Sequence, residues 1–179
     1  FPTRRSSDLR LALVAMVPQQ AADLLFLPTL GEELDEADEV ADARPASTSQ
    51  LFEQFSGRID PSVHPRDLSS GQQLSLVLAM QLVKNAKVVL LDEPTRGLDY
   101  AAKKQVAKVL RNLASQGKAV IFASHDVEFI AQSADRVIQL EAGKVIADDA
   151  VETALEYREG NSLASQVAQI TKLSGVIAL

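Results

Sequence analysis

Short apolar runs alternate with longer stretches of helical periodicity along this chain. Three runs of four to seven residues are apolar throughout, at positions 11–17, 88–91 and 119–123. A run of this length that ends at turn-forming or polar residues predicts a strand buried on both faces. Apolar residues recur at helical spacing in 74–82 and 106–113, which predicts two helices. The pattern therefore predicts buried strands separated by helices.

Residues 28–85 connect the first two runs and are predicted to be helical. Thr29 and Glu32 have the spacing of a capping box, in which each side chain bonds the other residue's backbone N–H at the start of a helix. The acidic residues that follow place negative charge near the positive end of that helix, and we interpret them as a solvated face. A second helix is predicted at 50–55, ending near Gly57.

The last third of the chain predicts a short helix followed by a hairpin. The helix is predicted at 127–134, and the hairpin pairs 136–140 with 144–147 across a glycine-containing turn. Residues 151–179 are predicted to form a partly helical tail. Its apolar stripe is interpreted as a core or dimer contact and comprises Leu163, Val167 and Ile170.

The composition narrows the possible functions. The chain has 179 residues, of which 46% are hydrophobic, so it is long enough for one globular domain. The net charge of −6 and the lack of a Lys/Arg block argue against nucleic acid as the main partner. No cysteine is present, which excludes disulfides and thiolate metal sites. No apolar run approaches the ~18 residues of a membrane span, so other chains would supply any spans.

The first nine residues, FPTRRSSDL, are interpreted separately. They begin without methionine and resemble one reading frame of a sequencing-library adaptor, so we expect 1–9 to be a scar outside the fold. The alternative is a twin-arginine export signal, because Arg4 and Arg5 precede an apolar run and Ala21-Ala22. Under the first interpretation the gene continues upstream.

Two adjacent carboxylates end the second apolar run. Asp92 fits a magnesium partner that acts through water, since Mg²⁺ prefers carboxylate oxygen and retains waters. Glu93 fits a general base that deprotonates an attacking water. Two carboxylates at a buried strand end are costly unless a metal or a proton relieves them. The alternative interpretation is an acidic turn at the end of a strand.

A run of small polar residues precedes the helix at 74–82. Ser69 is expected to cap this helix, which begins about Gly71. Backbone N–H groups at a helix N-terminus attract anions, and small side chains leave room for a phosphate. The alternative is an ordinary capped helix. The candidate phosphate-binding residues are Leu68, Ser69, Ser70, Gly71 and Gln72.

Polar side chains also follow the first and third apolar runs. Gln19, with Gln20 as the alternative, follows the first run, and His125 follows the third. Histidine can donate a hydrogen bond to a phosphate oxygen near neutral pH. A surface glutamine and a structural histidine are the plainer interpretations. Asp99 lies in a turn before the helix with the apolar pattern at 106–113, and this helix is predicted to span 101–114.

In their order along the chain, four segments make the sequence resemble the ATP-binding cassette (ABC) ATPases: VPQQAADLLFLPT, HPRDLSSGQ, DEPTRGLDYAAK and SHDVEFIAQSADRVIQL. The likeness covers 11–149. It implies a P-loop NTPase-like α/β fold with a mostly parallel central sheet, and a helical subdomain at about 28–85 within a partial domain at 10–150. The family's usual signature is LSGGQ, and Ser70 replaces its first glycine here.

The resemblance implies ATP and Mg²⁺ as cofactors and assigns roles to the polar residues at the strand ends. Glu93, His125 and Gln19 are the implied catalytic residues. Glu93 would act as the base, His125 would contact the γ-phosphate, and Gln19 would reach the metal and the attacking water. Asp92 would bind Mg²⁺ through water.

The resemblance also implies partners. Residues 68–72 would bind, in trans, the γ-phosphate held by a second cassette, and Asp99 would cross the dimer interface. That cassette would be a second copy, a different chain or part of the same chain. Integral membrane subunits would place the protein at the cytoplasmic face of the cell membrane. The energy-coupling factor importers, which take up vitamins or transition-metal ions, are the most similar subfamily.

Two alternatives differ in function class. One is a soluble ABC ATPase acting on ribosomes or DNA, and the other is a degenerate cassette that contributes only the trans signature. ABC ATPases also need a G-x-x-x-x-G-K-[ST] loop, and no glycine of this chain fits that motif. We therefore expect the loop upstream, a working ATPase in the full-length protein and an inactive 179-residue chain. The glycines checked lie at 31, 57, 71, 97, 117, 143, 160 and 175.

Overall fold

The computed structural model describes residues 13–154 and 175–178. The strands of the described part form one sheet: β1 (Val14–Val17), β2 (Val88–Asp92), β3 (Ala119–Ala123), β4 (Arg136–Glu141), β5 (Lys144–Ala150) and β6 (Gly175–Ala178). The helices are α1 (Leu30–Val40), α2 (Ser47–Ser56), α3 (Ser70–Leu82), α4 (Tyr100–Ser115), α5 (Val127–Ser133) and α6 (Val151–Ala154). The predictions for 1–9 and for the apolar stripe of the tail lie outside the described residues.

The sheet has a parallel part and an antiparallel part. Strands β1, β2 and β3 pair in parallel, whereas β6 pairs antiparallel with both β3 and β4, and β4 pairs antiparallel with β5. The predicted α/β fold class is confirmed, and the parallel pairing is confined to β1, β2 and β3. The predicted hairpin is confirmed too. Ala142 and Gly143 both have positive φ, and such two-residue turns connect antiparallel strands.

Three helices, α1 to α3, lie between β1 and β2. The capping box of α1 is confirmed, since the Glu32 N–H donates to Thr29 Oγ1 at 3.2 Å and the Thr29 N–H donates to Glu32 Oε2 at 3.1 Å. Ser69 and Gln72 make the same reciprocal pair at the start of α3. Both helices therefore begin where local side-chain chemistry satisfies their first backbone N–H groups.

Helix α2 begins earlier than predicted. It starts at Ser47 rather than at residue 50. The reason is a long-range cap, because the buried carboxylate of Asp38 in α1 accepts hydrogen bonds from the backbone N–H groups of Ser47 and Thr48. This partner is distant along the chain, so local sequence did not reveal it.

One hydrophobic core joins the helices to the sheet. Helix α3 is its centre, with residues 76–79 at most 1% exposed. From the sheet, Ala15 and Val17 of β1 and Val89 of β2 point into this core. No helix of the described residues has the length and apolar character of a membrane span.

The opposite face of the parallel strands differs from the prediction of burial on both faces. Met16 is 60% exposed, and it borders a shallow apolar depression of about 250 Å³ with Leu90, Ile121 and Ala123. Apolar residues therefore occupy both faces of these strands, as the continuous runs indicated, but the described part of the chain covers only one of them. We call this second surface the open sheet face.

Candidate active site

The parallel strands bring the predicted carboxylates and histidine to one edge of the sheet. Asp92, the last residue of β2, is in register with Ala123 at the end of β3. The Glu93 N–H donates to the Ala123 carbonyl at 2.9 Å, which holds the two strand ends together. His125 follows two residues later, and its Nδ1 lies 2.8 Å from Glu93 Oε1. Two residues predicted separately as catalytic are thus in direct contact.

The backbone at Glu93 is unusual. Its φ is +46°, a left-handed conformation that non-glycine residues seldom adopt and that costs about 1–3 kcal/mol. The turn continues with a hydrogen bond from the Arg96 N–H to the Glu93 carbonyl at 3.0 Å, and Gly97 at φ +73° supplies the second left-handed residue. The strained turn directs the Glu93 side chain towards the loop that carries His125.

One oxygen of the Glu93 carboxylate lacks a partner. Oε1 contacts His125, whereas Oε2 is buried and has no hydrogen-bond partner among the described residues. A buried carboxylate oxygen left without a donor costs free energy unless a ligand or water satisfies it. Within the described part of the chain, Oε2 is therefore an unsatisfied acceptor that is shielded from solvent.

Asp92 fits magnesium better than most metals. It is exposed at the edge of the sheet, and no hydrogen bond or ion pair within the described residues engages its side chain. The described residues contain no group of three His, Cys, Asp or Glu side chains that would hold a metal by themselves. Mg²⁺ does not need one, because it commonly uses one or two carboxylates, water and substrate phosphate oxygens.

The loop that carries His125 is fixed on both sides of the histidine. Ser124 is buried, and its Oγ accepts a hydrogen bond from the Asp126 N–H at 3.1 Å. Asp126 caps α5 by accepting from the Phe129 N–H at 3.1 Å, and it pairs with Lys103. Burial raises the pKa of Asp126, but the hydrogen bonds from Lys103 and Phe129 outweigh it and hold that pKa below its ordinary value. His125 itself is exposed.

Gln19 lies in a different part of the edge. It is exposed in the loop after β1 and lines a groove of about 330 Å³. The groove also contains Ser70 and Gln73 of α3, together with Pro94 and Arg96 of the turn after Glu93. The structure thus places Gln19 beside the start of α3 and beside that turn. Gln20 lines the same groove, so it remains the alternative.

The small polar residues at 68–72 form the N-terminus of α3, as predicted. Leu68 is buried, while Ser69 and Ser70 are exposed. A Cβ added at Gly71 would lie 3.3 Å from the Cβ of Ala102, so α3 approaches α4 closely at this point. Asp99 caps α4, because its Oδ1 accepts from the Ala102 N–H at 2.7 Å. The structure therefore brings the 68–72 segment and the start of α4 together.

Lys103 was absent from the sequence-based predictions. Its Nζ lies 2.6 Å from Oδ2 of Asp126, 23 residues later in the chain. The only local sign was its place one helical turn after Asp99. Neither the spacing nor the composition of the segment indicates that its partner follows the third strand.

The comparisons with known proteins give the family of the chain. Residues 7–131, well over half of the chain, match the family model described as "AAA domain, putative AbiEii toxin, Type IV TA system". The chain belongs to this family. It is 48% identical over 135 residues to a "Putative ABC transporter ATP-binding protein" of Streptomyces coelicolor and 45% identical over 157 residues to one of Streptomyces avermitilis. The names of these relatives confirm the resemblance to ABC ATPases that the sequence indicates.

The chain aligns with only part of these relatives. It is matched over 75% and 88% of its own length, but spans about a quarter of theirs, 24% and 28%. Among solved structures it is similar to cbiO1 from Clostridium perfringens, described as part of the ABC transporter complex cbiONQ. The TM-score is 0.73 at 24% identity, over 84% of this chain and 62% of cbiO1. This likeness shows the fold.

Proposed function

We propose that the full-length protein hydrolyses MgATP and uses the hydrolysis to drive import through an ABC transporter. The observation that carries the proposal is the contact between Glu93 and His125 at 2.8 Å, beside a buried Glu93 oxygen with no hydrogen-bond partner among the described residues. A carboxylate that is held in place by one contact and is not saturated with hydrogen bonds suits a general base, which typically contributes about 10²–10⁴ in rate.

The residues of the edge would divide the chemistry among them. The Glu93 carboxylate would accept the proton of the attacking water. His125 would donate a hydrogen bond to the γ-phosphate. Asp92 would hold Mg²⁺ through water, and Gln19 would contact the metal and the attacking water. The bound Mg²⁺ would offset the negative charge of the phosphates.

A second cassette is part of the proposal. Residues 68–72 would contact the γ-phosphate bound to the opposite cassette, and Asp99 would lie at the interface. The close approach of Gly71 to Ala102 supports a joint role for these two segments. A segment outside the 179 residues would supply the phosphate-binding loop, so this chain by itself would not turn over ATP.

The loop after β1 is the proposed contact with the membrane subunits. Phe26 is 80% exposed, which is unusual for a large apolar side chain. Its backbone is nevertheless fixed, because the buried carboxylate of Glu33 accepts hydrogen bonds from the N–H groups of Phe26 and Leu27. An exposed aromatic ring on a fixed backbone suits an anchor for a partner surface. The protein would therefore act at the cytoplasmic face of the membrane.

The importer type is proposed as energy-coupling factor, with a vitamin or a transition-metal ion as cargo. The names of the Streptomyces relatives support an ABC transporter, and the likeness to cbiO1 supports this type. We propose in addition that residues 10–150 form the ATPase part, with a helical subdomain at about 28–85. Residues 1–9 would lie outside it. Of the tail that the sequence predicts at 151–179, strand β6 at 175–178 belongs to the sheet, because it pairs with β3 and β4.

Glu93→Gln in the full-length protein tests the ATPase proposal. The variant keeps the shape of the side chain but removes the base, so ATP should bind and turnover should fall by at least about 10²-fold. Glu36→Gln, at an exposed position of α1, is the matched control and should keep wild-type turnover. Near-normal hydrolysis by Glu93→Gln would remove Glu93 as the base.

A further inference from the structure

We infer that Lys103 is a positioning residue that ties the His125 loop to the first turn of α4 and so couples Asp99 to His125. This inference rests on the proposed function of the edge. It starts from the ion pair between Lys103 Nζ and Asp126 Oδ2 at 2.6 Å, since Asp126 directly follows His125 in the chain. Nothing in the proposed chemistry requires Lys103 to touch ATP.

The histidine end of this connection is rigid. The backbone N–H of Asp126 is bound to the buried Ser124, and its Oδ1 is bound to the Phe129 N–H. Phe129 is 2% exposed, and its ring packs edge-on against Phe122 of β3 with centroids 5.1 Å apart. Phe129 therefore fixes α5 to the sheet. Through Asp126, Lys103 ties the N-terminus of the same helix to α4.

The connection from Lys103 to Asp99 is a backbone hydrogen bond. The Lys103 N–H donates to the Asp99 carbonyl at 3.0 Å, within the first turn of α4. The carboxylate of Asp99 caps the same turn through Ala102. A partner cassette that moves Asp99 would move this turn, and the ion pair would pass the displacement to Asp126 and so to His125.

The burial of the pair favours this role over that of an ordinary surface ion pair. The side chains of Lys103 and Asp126 are 35% and 17% exposed. Their attraction is therefore less screened by water and salt than that of fully exposed charges. A strained or broken pair would leave a partly buried charge, which opposes independent movement of the two helices.

A second ion pair between the same parts of the chain serves as an internal control for the Lys103–Asp126 pair. Arg111, about two turns further along α4, pairs with Asp135 at 2.8 Å and so also joins α4 to the segment around α5. This second pair is more exposed, at 46% and 73%, and lies away from His125 in the chain. Both pairs brace the same two helices, but only the first adjoins the candidate active site.

Steady-state ATP hydrolysis by the full-length protein is the first test, with Lys103→Met, Lys103→Arg and Arg111→Met compared. Lys103→Met should lower kcat about tenfold with KM for ATP unchanged. Lys103→Arg keeps the charge and should restore kcat to within about twofold of wild type. Arg111→Met should leave kcat unchanged. Equal kcat in Lys103→Met and Arg111→Met, or a raised KM without a fall in kcat, overturns the inference.

Amide hydrogen exchange supplies a readout that does not depend on turnover. Asp126→Asn keeps the capping oxygen but removes the charge, so exchange should accelerate at 99–103, on the other helix. Lys103→Met should accelerate exchange at 127–130, and Arg111→Met should not. Wild-type exchange rates in Asp126→Asn and in Lys103→Met would refute the coupling. If the wild-type protein hydrolyses no ATP, the proposed function fails, and these rates still decide whether Lys103 couples the two segments.

Discussion

The long-range cap of α2 allows a quantitative prediction. Asp38 is 5% exposed, and its carboxylate accepts three hydrogen bonds: from the Ser47 N–H at 3.0 Å, the Thr48 N–H at 2.8 Å and Thr48 Oγ1 at 2.6 Å. Asp38→Ala removes both acceptor oxygens and with them all three hydrogen bonds. Thr48 is fully buried, so water cannot replace the lost partners of its N–H and hydroxyl groups.

The expected cost follows from these partners. A buried donor left unsatisfied costs about 1–3 kcal/mol, so the two groups of Thr48 together give about 3 kcal/mol for Asp38→Ala. Ser47 is half-buried and should recover most of its loss by binding water. Asp38→Asn keeps one oxygen for both groups of Thr48 and loses only the bond to Ser47, so it should cost about 1 kcal/mol.

Hydrogen exchange of the α2 amides in the full-length protein measures this cost directly. Asp38→Ala should accelerate exchange at 47–56 by about 10²-fold, and Asp38→Asn by about fivefold, since 1.4 kcal/mol corresponds to tenfold. Asp35→Ala, at an exposed position of the same helix, is the control. If Asp38→Ala accelerates exchange no more than Asp35→Ala does, the long-range cap does not set the start of α2.

Two further predictions concern Ser69 and Asp126. In the full-length protein, Ser69→Arg should block association of two cassettes without weakening ATP binding within each; ultracentrifugation and equilibrium binding test this, and lost binding within one cassette would contradict the trans assignment. The folded-state pKa of Asp126 lies below its ordinary value of about 3.9, so its stabilising effect is complete above that value and disappears as the pH falls through the lowered pKa. The Tm difference between wild type and Asp126→Asn should shrink below about pH 4; a difference that stays the same as the pH falls below about 4 would argue against it.

The parts of the fold that sequence predicted well are those determined by neighbouring residues. The strands β2 and β3 follow from short apolar runs, and the starts of α1 and α3 follow from reciprocal capping residues. The placement of Asp92, Glu93 and His125 at one edge follows in turn, since the carboxyl ends of parallel strands meet there. These features need only patterns within a few residues and the pairing rules of parallel sheets.

The features that sequence reasoning missed depend on contacts between distant segments. The cap of α2 comes from Asp38, and the support of the His125 loop comes from Lys103. The positive φ of Glu93 carries no sequence signal, because glutamate is not a residue that favours this conformation. Strand β6 follows a segment with no strand pattern, and it adopts its place by pairing with β3 and β4.

Oxidation of Met16 can report whether the open sheet face is covered. Met16, at 60% exposure, has an accessible thioether, and conversion of that group to the sulfoxide replaces an apolar surface with a polar one. Any polypeptide that covers the face shields the sulfur from peroxide and also raises the Tm of the domain, by an amount that grows with the logarithm of its concentration relative to its Kd. The rate of Met16 oxidation would therefore measure how completely this surface is covered in a cell.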